Sequence, residues 1–417
     1  MSGRQRILVL RALLVTAAAA EAGRRILTPR APVTAPVPVD IREHFSQAEI
    51  ARGRGFSRPQ RKLALGRSAL AAAELVALVR RPPAALARRR GAGPARTGLT
   101  AAVLPIGLAV PGLPLRALAR RRAIAAGLDT QSWSGWASDL AKAAAIEAGL
   151  GAALAAGLAA LSARERERWW RAAALATVGL STLVGGLAPV LLDPIFNDFD
   201  PLPAGETRTD VLSLAAAAGI DVGEVYAVDA SRRTSAANAY VTGLGPTKRV
   251  VLYDTLLDRY ERDEIRLVVA HELAHLRHRD VWRGVAYTAI LAGPLCWATQ
   301  QVAAALAGRA PHEPIDPAAL PALALAAAIV SLPLGPSAAA LSRAQERRAD
   351  ELSLRLAGAP EAFVAFERRA SLQNLADLEP GRVARALASH PPVAERIGAA
   401  LAFADDDRRS GGHPGKP

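Results

Sequence analysis

The segment DEIRLVVAHELAH, residues 263–275, contains the pattern H-E-x-x-H and decides how the rest of the chain is interpreted. In a helix, His271 and His275 lie on one face, where both imidazoles can bind one metal ion. Glu272 projects beside them and can take a proton from a water at the metal. Because five-residue patterns also arise by chance on exposed helices, a hydrolytic zinc site needs a further ligand.

A second segment, SRAQERRAD at residues 342–350, supplies that ligand. Glu346 and Asp350 are four residues apart on a predicted helix and therefore share a face. This spacing suits Glu346 as the third zinc ligand and Asp350 as a carboxylate that holds a ligand histidine by its other ring nitrogen. Alone, such a pair is usually a solvated helix face. Together, the two segments predict one catalytic Zn²⁺ bound by His271, His275 and Glu346.

The composition argues against nucleic acid as a partner and favours a membrane. The 417 residues include 52 Lys and Arg against 38 Asp and Glu, which gives a net charge of +14. No basic patch is interleaved with aromatic residues, as nucleic-acid binding would require. Instead, clusters of arginine flank apolar runs, an arrangement typical of membrane spans. Cys296 is the only cysteine, so no disulfide can form within the chain. The cysteine content therefore does not indicate the redox compartment.

Apolar stretches of about 20 residues, the length that crosses a bilayer, predict a polytopic membrane protein. Five of them are nearly free of charge, the last carrying only Glu147: 97–115, 172–192, 285–308, 317–342 and 143–163. Two weaker stretches are 63–79 and 7–20. The stretch 7–20 also has features of a signal peptide, and we favour an uncleaved first span. The prediction is a mainly α protein with about seven transmembrane helices, and a soluble Ala-rich helical bundle is the alternative.

The order of the segments along the chain is compatible with one zinc site. The zinc helix comes before the stretch 285–308, and Glu346 comes after the stretch 317–342. The chain between them therefore crosses the membrane twice and returns to the side from which it left. An odd number of crossings would separate the ligands.

The polar residues after 192 predict a small sheet that leads into the zinc helix. Residues 209–219 have the pattern of an amphipathic helix, and 225–229 alternate like a strand. Residues 237–245 and 249–253 form a predicted strand pair. A free strand edge near zinc would let a substrate pair its backbone in extended form, although a structural hairpin explains the pattern equally well.

The carboxyl-terminal residues 360–403 predict helices with a break at Ser389-His390-Pro391-Pro392. His390 can donate a hydrogen bond to a developing oxyanion, or it can be an ordinary loop residue. The chain then divides into a membrane region, 1–192, a zinc peptidase domain that contains two spans, 193–404, and a disordered tail, 405–417.

The motifs together resemble the type I CaaX prenyl protease family of integral-membrane zinc metalloendopeptidases, which has HtpX-like relatives. Besides the zinc helix and the segment with Glu346, the resemblance rests on LDPIFN at 192–197, ANAY at 237–240, TKRVVLYDTLL at 247–257, NL at 374–375, SHPP at 389–392 with Arg396, and GLDTQSW at 127–133. The family usually has a glycine where this zinc helix has Ala274, which is also small and favours helix.

The resemblance implies a gluzincin-type zinc protease domain and a ring of helices around a chamber, with the zinc site facing inward. It implies that Glu272 is the general base and that Asp350 has a supporting catalytic role. It also implies that four residues contact the substrate or the transition state: Asn238, Ala239, Tyr240 and His390.

The sequence therefore predicts a membrane-embedded zinc metalloendopeptidase of the bacterial plasma membrane. Its substrates would be peptides or proteins, including lipid-modified or membrane-derived ones. One alternative is a membrane sensor and transducer that uses such a domain, although the roughly 75 residues after Ser342 are too few for an added ligand-binding domain. Another is a non-catalytic membrane scaffold, against which the intact Glu272 argues.

Overall fold

The computed structural model describes residues 3–243 and 248–409, and most of them are helical. The amino-terminal half contains α1 (Gly3–Leu27), α2 (Ile41–His44), α3 (Gln47–Arg80), α4 (Ala84–Ala87), α5 (Pro94–Ala109), α6 (Leu113–Ala125), α7 (Trp133–Arg164) and α8 (Trp169–Leu191). The other half contains α9 (Asp193–Phe196), α10 (Glu206–Ala217), α11 (Asp254–Arg259), α12 (Arg262–Arg277), α13 (Asp280–Ala307), α14 (Leu320–Ser331), α15 (Leu334–Ala357), α16 (Pro360–Gln373), α17 (Arg382–Leu387) and α18 (Val393–Arg409).

Three helical stretches in the described part of the chain are long and apolar enough to cross a bilayer: Pro94–Ala125, Trp133–Arg164 and Asp280–Ala307. The bent pair of α14 and α15 would make a fourth. The predicted spans 7–20 and 63–79 fall within α1 and α3, and the predicted span 172–192 lies in α8 except for its last residue. The prediction of a mainly α protein with several candidate membrane spans is therefore confirmed, while the total of seven crossings stays a prediction.

The predicted span 317–342 is not one straight helix, which corrects the sequence prediction. It is broken between α14 and α15, whose axes differ by 52°. Pro333 causes the break, because proline has no N–H to donate to the carbonyl of Ile329 and its ring crowds that carbonyl. The N–H of Leu332 donates to Ile329 instead, at 3.2 Å. As a result, α15 carries the second half of the predicted span and the Glu346 segment on one helix.

A four-stranded sheet precedes the zinc helix, as predicted. Its strands are β1 (Phe199–Pro201), β2 (Glu224–Val228), β3 (Ala239–Thr242) and β4 (Arg249–Tyr253), in the order β1-β2-β4-β3. The central pair β2 and β4 is parallel, and both outer pairs are antiparallel. The strand pair predicted at 237–245 and 249–253 corresponds to β3 and β4, although Leu244 and Gly245 lie outside the described residues. The strand β3 is at an edge of the sheet.

The main core of the peptidase region lies between this sheet, α10 and α12. Val250 and Leu252 of β4 and Val269 and Leu273 of α12 are fully buried in it. Because Leu273 belongs to the H-E-x-x-H pattern itself, this packing fixes the zinc helix against the sheet.

The carboxyl-terminal part is helical with a break at 388–392, as predicted, and with a second break between α16 and α17. The predicted tail begins at residue 405, but α18 continues to Arg409, so its first five residues are helical. This correction has a local cause, because Asp405 and Arg408 form an ion pair across one helical turn. Residues 410–417 lie outside the described part.

Candidate metal centre

The zinc helix α12 begins with a capping box and turns an apolar face to the core. Glu261 and Glu264 form this box, and the Glu261 N–H donates to the Glu264 carboxylate at 2.8 Å. Apolar residues at positions 265, 269 and 273 then recur at helical spacing and are buried. The adjacent face carries His271, Glu272 and His275, which are only partly buried.

The structure brings the three predicted ligands together. The Nε2 atoms of His271 and His275 are 3.1 Å apart. Glu346 reaches both from α15, with its Oε2 3.3 Å from Nε2 of His271 and its Oε1 3.6 Å from Nε2 of His275. About 10% of the Glu346 side chain is exposed, against 25% for His275, so the cluster opens on the His275 side.

These distances fit a tetrahedral zinc ion. With zinc–nitrogen and zinc–oxygen bonds near 2.0–2.1 Å, neighbouring ligand atoms in a tetrahedron are about 3.3 Å apart. The Oε2 atom of Glu346 is buried and has no hydrogen bond. Two imidazole nitrogens and a carboxylate thus converge on one point, an arrangement that a bound cation stabilises. The donor set therefore fits zinc.

A chain of charged groups holds His271 from behind. Its Nδ1 is 2.9 Å from Oδ1 of Asp350, which is 3% exposed. Arg396 donates two hydrogen bonds to the same carboxylate, at 2.8 and 2.6 Å, and pairs with Glu367 at 2.6 Å. Since Nδ1–H faces Asp350, the lone pair of Nε2 is left to face the metal position.

Asp280 orients His275 in the way that Asp350 orients His271, a role that the sequence did not predict. The Nδ1 of His275 is 3.0 Å from Oδ2 of Asp280, whose other oxygen accepts from Arg283 at 2.5 Å and from Arg348 at 3.2 Å. The available signal was an aspartate directly after the zinc helix, at the start of α13. Its role depends on the sharp turn at Arg279, which has a left-handed backbone (φ 56°).

The carboxylates around the cluster favour the binding of a positive charge. Burial alone would lower the pKa of His271, but the carboxylates of Asp350 and Glu346 outweigh burial and raise it to about 10. Burial raises the pKa of the Glu272 carboxyl. His278 is not part of the cluster, and burial together with the charge of Arg348 lowers its pKa to about 4.

His390 lies at the rim of the cluster. Its Nε2 is 3.3 Å from Oε2 of Glu346, and 62% of its side chain is exposed. The Oγ of Ser389 is 2.9 Å from its Nδ1. Arg343 fixes the loop by donating to the carbonyl of Ala388 at 2.6 Å. The imidazole can thus contact a molecule that enters from solvent.

The three other predicted contact residues differ in what they expose. The Asn238 side chain is exposed. The Ala239 side chain is buried in the core, so only its backbone can meet a substrate. The Tyr240 hydroxyl donates to Asp193 at 2.9 Å, and its ring packs edge-to-face on Tyr253, which directs this side chain away from a substrate role.

The edge strand β3 offers backbone groups instead. The Tyr253 N–H donates to the Asn238 carbonyl at 3.0 Å, and Ala239 is opposite Leu252. Because hydrogen-bonded and non-hydrogen-bonded residues alternate along an antiparallel pair, Ala239 and Val241 turn their N–H and C=O groups to the open edge. The strand β3 packs against the zinc helix α12, and Ala239 and Leu273 belong to one core cluster.

The model of peptidase family M48 matches residues 201–404. This segment, just under half of the chain, is therefore similar to peptidase family M48. It contains all residues of the cluster and the four neighbours that hold it: Asp280, Asp350, Glu367 and Arg396.

Named relatives agree with this assignment. The chain is 36% identical over 245 residues to the "Uncharacterized metalloprotease YhfN" of Bacillus subtilis. This alignment covers 56% of this chain and 56% of that protein. It is 42% identical over 96 residues to "CAAX prenyl protease 1" of Saccharomyces cerevisiae, and this alignment covers 23% of this chain and 21% of that one. The chain therefore matches about half or less of the length of these relatives.

The similarity of fold extends beyond residues 201–404. The structure is similar to the crystal structure of S. mikatae Ste24p, with a TM-score of 0.75, 19% sequence identity, and coverage of 96% of this chain and 99% of that chain. At this identity the match shows a shared fold. These findings confirm the resemblance that the sequence motifs indicated.

Proposed function

We propose that the protein is an integral-membrane zinc metalloendopeptidase. The observation that carries the proposal is the convergence of His271, His275 and Glu346 beside Glu272, at ligand–ligand distances that suit zinc. The similarity of residues 201–404 to peptidase family M48 supports the peptidase reaction. The candidate membrane spans on both sides of the zinc helix support a site near the bilayer.

Each residue of the site has a separate role in the proposed hydrolysis. A zinc ion in this site would supply Lewis acidity toward the peptide carbonyl and the attacking water. Glu272 takes the proton of that water and passes it to the leaving amine. His390 donates from Nε2 to the carbonyl oxygen as negative charge develops there. Asp350 and Asp280 keep the two histidines oriented.

The edge of β3 positions the peptide. An extended substrate accepts and donates hydrogen bonds at Ala239 and Val241, as an added strand. Such pairing recognises backbone and therefore permits many sequences. The Asn238 side chain, exposed beside this edge, contacts the bound peptide.

The substrate class follows from the setting and from the relatives' names. A site beside membrane spans favours membrane-derived or lipid-modified proteins in the bacterial plasma membrane. Several relatives carry the name CAAX prenyl protease 1, which points to lipid-modified protein ends in those organisms. Since the chain matches only a quarter or less of these relatives, we extend to it the reaction and not the prenylated substrate.

The decisive variant is Glu272→Gln, which removes the base and leaves every ligand. We expect it to retain one zinc ion per chain and to lose peptide cleavage by at least about 10²-fold. Glu361→Gln, on the exposed face of α16, is the matched control and should behave as wild type. Comparative membrane proteomics of cells with each variant would identify the proteins that accumulate uncut. Wild-type cleavage rates in Glu272→Gln would refute the mechanism, and a wild-type protein without zinc would favour a scaffold.

A further inference from the structure

A cavity of about 650 Å³ lies between the end of α3 and the start of α5. It is open on its outer side, where Leu99 and Val103 are each 66% exposed. Because α5 belongs to the candidate span Pro94–Ala125, this open side faces the bilayer. The apolar part of the wall includes Ala77, Leu78, Leu99, Val103, Leu104 and Leu108. We name this cavity the α3–α5 groove.

The α3–α5 groove lies at the membrane face opposite the metal cluster. The helix α13 begins at Asp280, which contacts the ligand His275, and ends at Ala307, about 40 Å away at 1.5 Å per residue. The connection after α13 meets the connection between α3 and α5, since the Gly91 N–H donates to Asp316 at 2.9 Å. The groove is therefore separate from the site of the proposed hydrolysis.

Two arginines and one glutamate also line the groove, and the arginines have few partners. In the part of the chain that the structure describes, the Arg81 guanidinium forms no ion pair or hydrogen bond, and that of Arg89 donates only to the Thr100 hydroxyl at 3.1 Å. Glu74 lies about 10 Å from Arg81 along α3 and forms no ion pair with a described residue. Two positive charges and one negative charge leave the wall with a net charge of +1.

More positive charge surrounds the outer end of the groove. The carboxylates nearby are already engaged: Asp316 accepts from Arg309 at 2.9 and 3.0 Å, and Glu313 accepts from Arg309 at 2.9 Å. Basic clusters beside membrane helices bind anionic lipid headgroups. Three further arginines around this connection are exposed: Arg80, Arg88 and Arg96.

The groove presents charged and apolar groups in the same order as a phospholipid. Arg81 directly follows α3, and Arg89 lies in the connection to α5, so both guanidinium groups belong to the outer end. The apolar wall continues from Thr100 to Leu108, about 12 Å deeper along α5. A free phosphate ion would use the outer end alone. A phosphodiester with attached acyl chains matches both the charge and the apolar wall.

We propose that the α3–α5 groove binds one anionic phospholipid of the surrounding bilayer. The phosphodiester accepts hydrogen bonds from Arg81 and Arg89 and neutralises the net charge of the wall. An acyl chain lies along Val103 and Leu108. A zwitterionic lipid binds less tightly, because its ammonium group adds a positive charge among the exposed arginines.

The test is a lipid titration of the full-length protein in detergent, followed by native mass spectrometry. The probes are phosphatidylglycerol and phosphatidylethanolamine with identical acyl chains. We expect the first phosphatidylglycerol to bind about tenfold more tightly than phosphatidylethanolamine. Arg81→Gln and Arg89→Gln, added together, should remove this preference. Arg164→Gln with Arg166→Gln, two exposed arginines at the same membrane face, is the matched control and should retain it.

A second pair of variants tests the apolar wall. Gly107 lines the groove, and a Cβ there meets no atom within 4 Å, so Gly107→Leu fills the space without strain. It should weaken the binding of phosphatidylglycerol severalfold. Gly149→Leu, on α7 and outside the lining, also meets no atom within 4 Å and should leave binding unchanged. Melting temperatures in detergent check that each variant is folded.

Two further probes distinguish a phospholipid from its parts. Glycerol 3-phosphate should not displace phosphatidylglycerol, and diacylglycerol with the same chains should bind at least about tenfold more weakly. Displacement by glycerol 3-phosphate, or equal binding of phosphatidylethanolamine or diacylglycerol, would overturn the proposal. A preference that survives in the Arg81 and Arg89 double variant, or is lost equally in the control, would do the same. These measurements do not depend on peptide cleavage, so their outcome is independent of the proposed function.

Discussion

Replacing Asp350 by asparagine should weaken zinc binding without touching a ligand. The carboxylate accepts two bonds from Arg396 and faces Nδ1 of His271. Asparagine keeps one acceptor oxygen and adds an NH₂ group, so at least one of these donors loses its acceptor. A charge-assisted hydrogen bond contributes about 1.5–3 kcal/mol. At 1.4 kcal/mol per factor of ten, we expect the zinc dissociation constant to rise about 10–100-fold.

The assay is competition for zinc with a chelator of known affinity, on purified protein in detergent. Asp377→Asn is the matched control, because Asp377 is also buried (2% exposed) and paired with two arginines, Arg58 and Arg61, but lies outside the cluster. It should lower the melting temperature and leave zinc affinity unchanged. Wild-type zinc affinity in Asp350→Asn, or an equal loss of affinity in Asp377→Asn, would show that Asp350 does not support zinc binding through His271.

Three further predictions concern other parts of the molecule. Asp280→Asn should raise the zinc dissociation constant by about tenfold through His275, measured in the same competition; an unchanged constant would remove Asp280 from the site. Asp210→Asn should cost about 1–3 kcal/mol of stability at pH 7. Bonding to Arg262 holds the pKa of the Asp210 carboxyl below its usual range, so the difference in melting temperature from wild type should shrink as pH falls below about 4. Gly398→Ala should destabilise by about 1–3 kcal/mol, because its Cβ would meet the carbonyl oxygen of Val37. Gly55→Ala, in open space on α3, should instead stabilise slightly.

Much of the site was predictable because helical spacing is local. His271, His275 and Glu272 are fixed by one helix, and Glu346 and Asp350 by another, so their relative placement follows from 3.6 residues per turn. The alternation of residues 225–229 likewise predicted a strand, which corresponds to β2.

The features of the site that the sequence did not predict depend on contacts between distant segments. Asp280 meets His275 only because Arg279 adopts a left-handed backbone, a geometry that no pattern in this segment indicates. Pro333 is a local signal for a helix break. The surrounding apolar run is as long as a membrane span, however, and therefore predicted one continuous helix. Ala239 lies in a recognised motif, but which side of an edge strand is buried depends on the register with β4.

We propose that two histidines of α12 and one glutamate of α15 hold a single zinc ion. The most direct test is the zinc content of purified protein, by elemental mass spectrometry, for wild type, Glu272→Gln and Glu346→Gln. We expect one zinc ion per chain in the first two proteins and a substoichiometric amount in Glu346→Gln. A full zinc ion per chain in Glu346→Gln, or none in wild type, would contradict it.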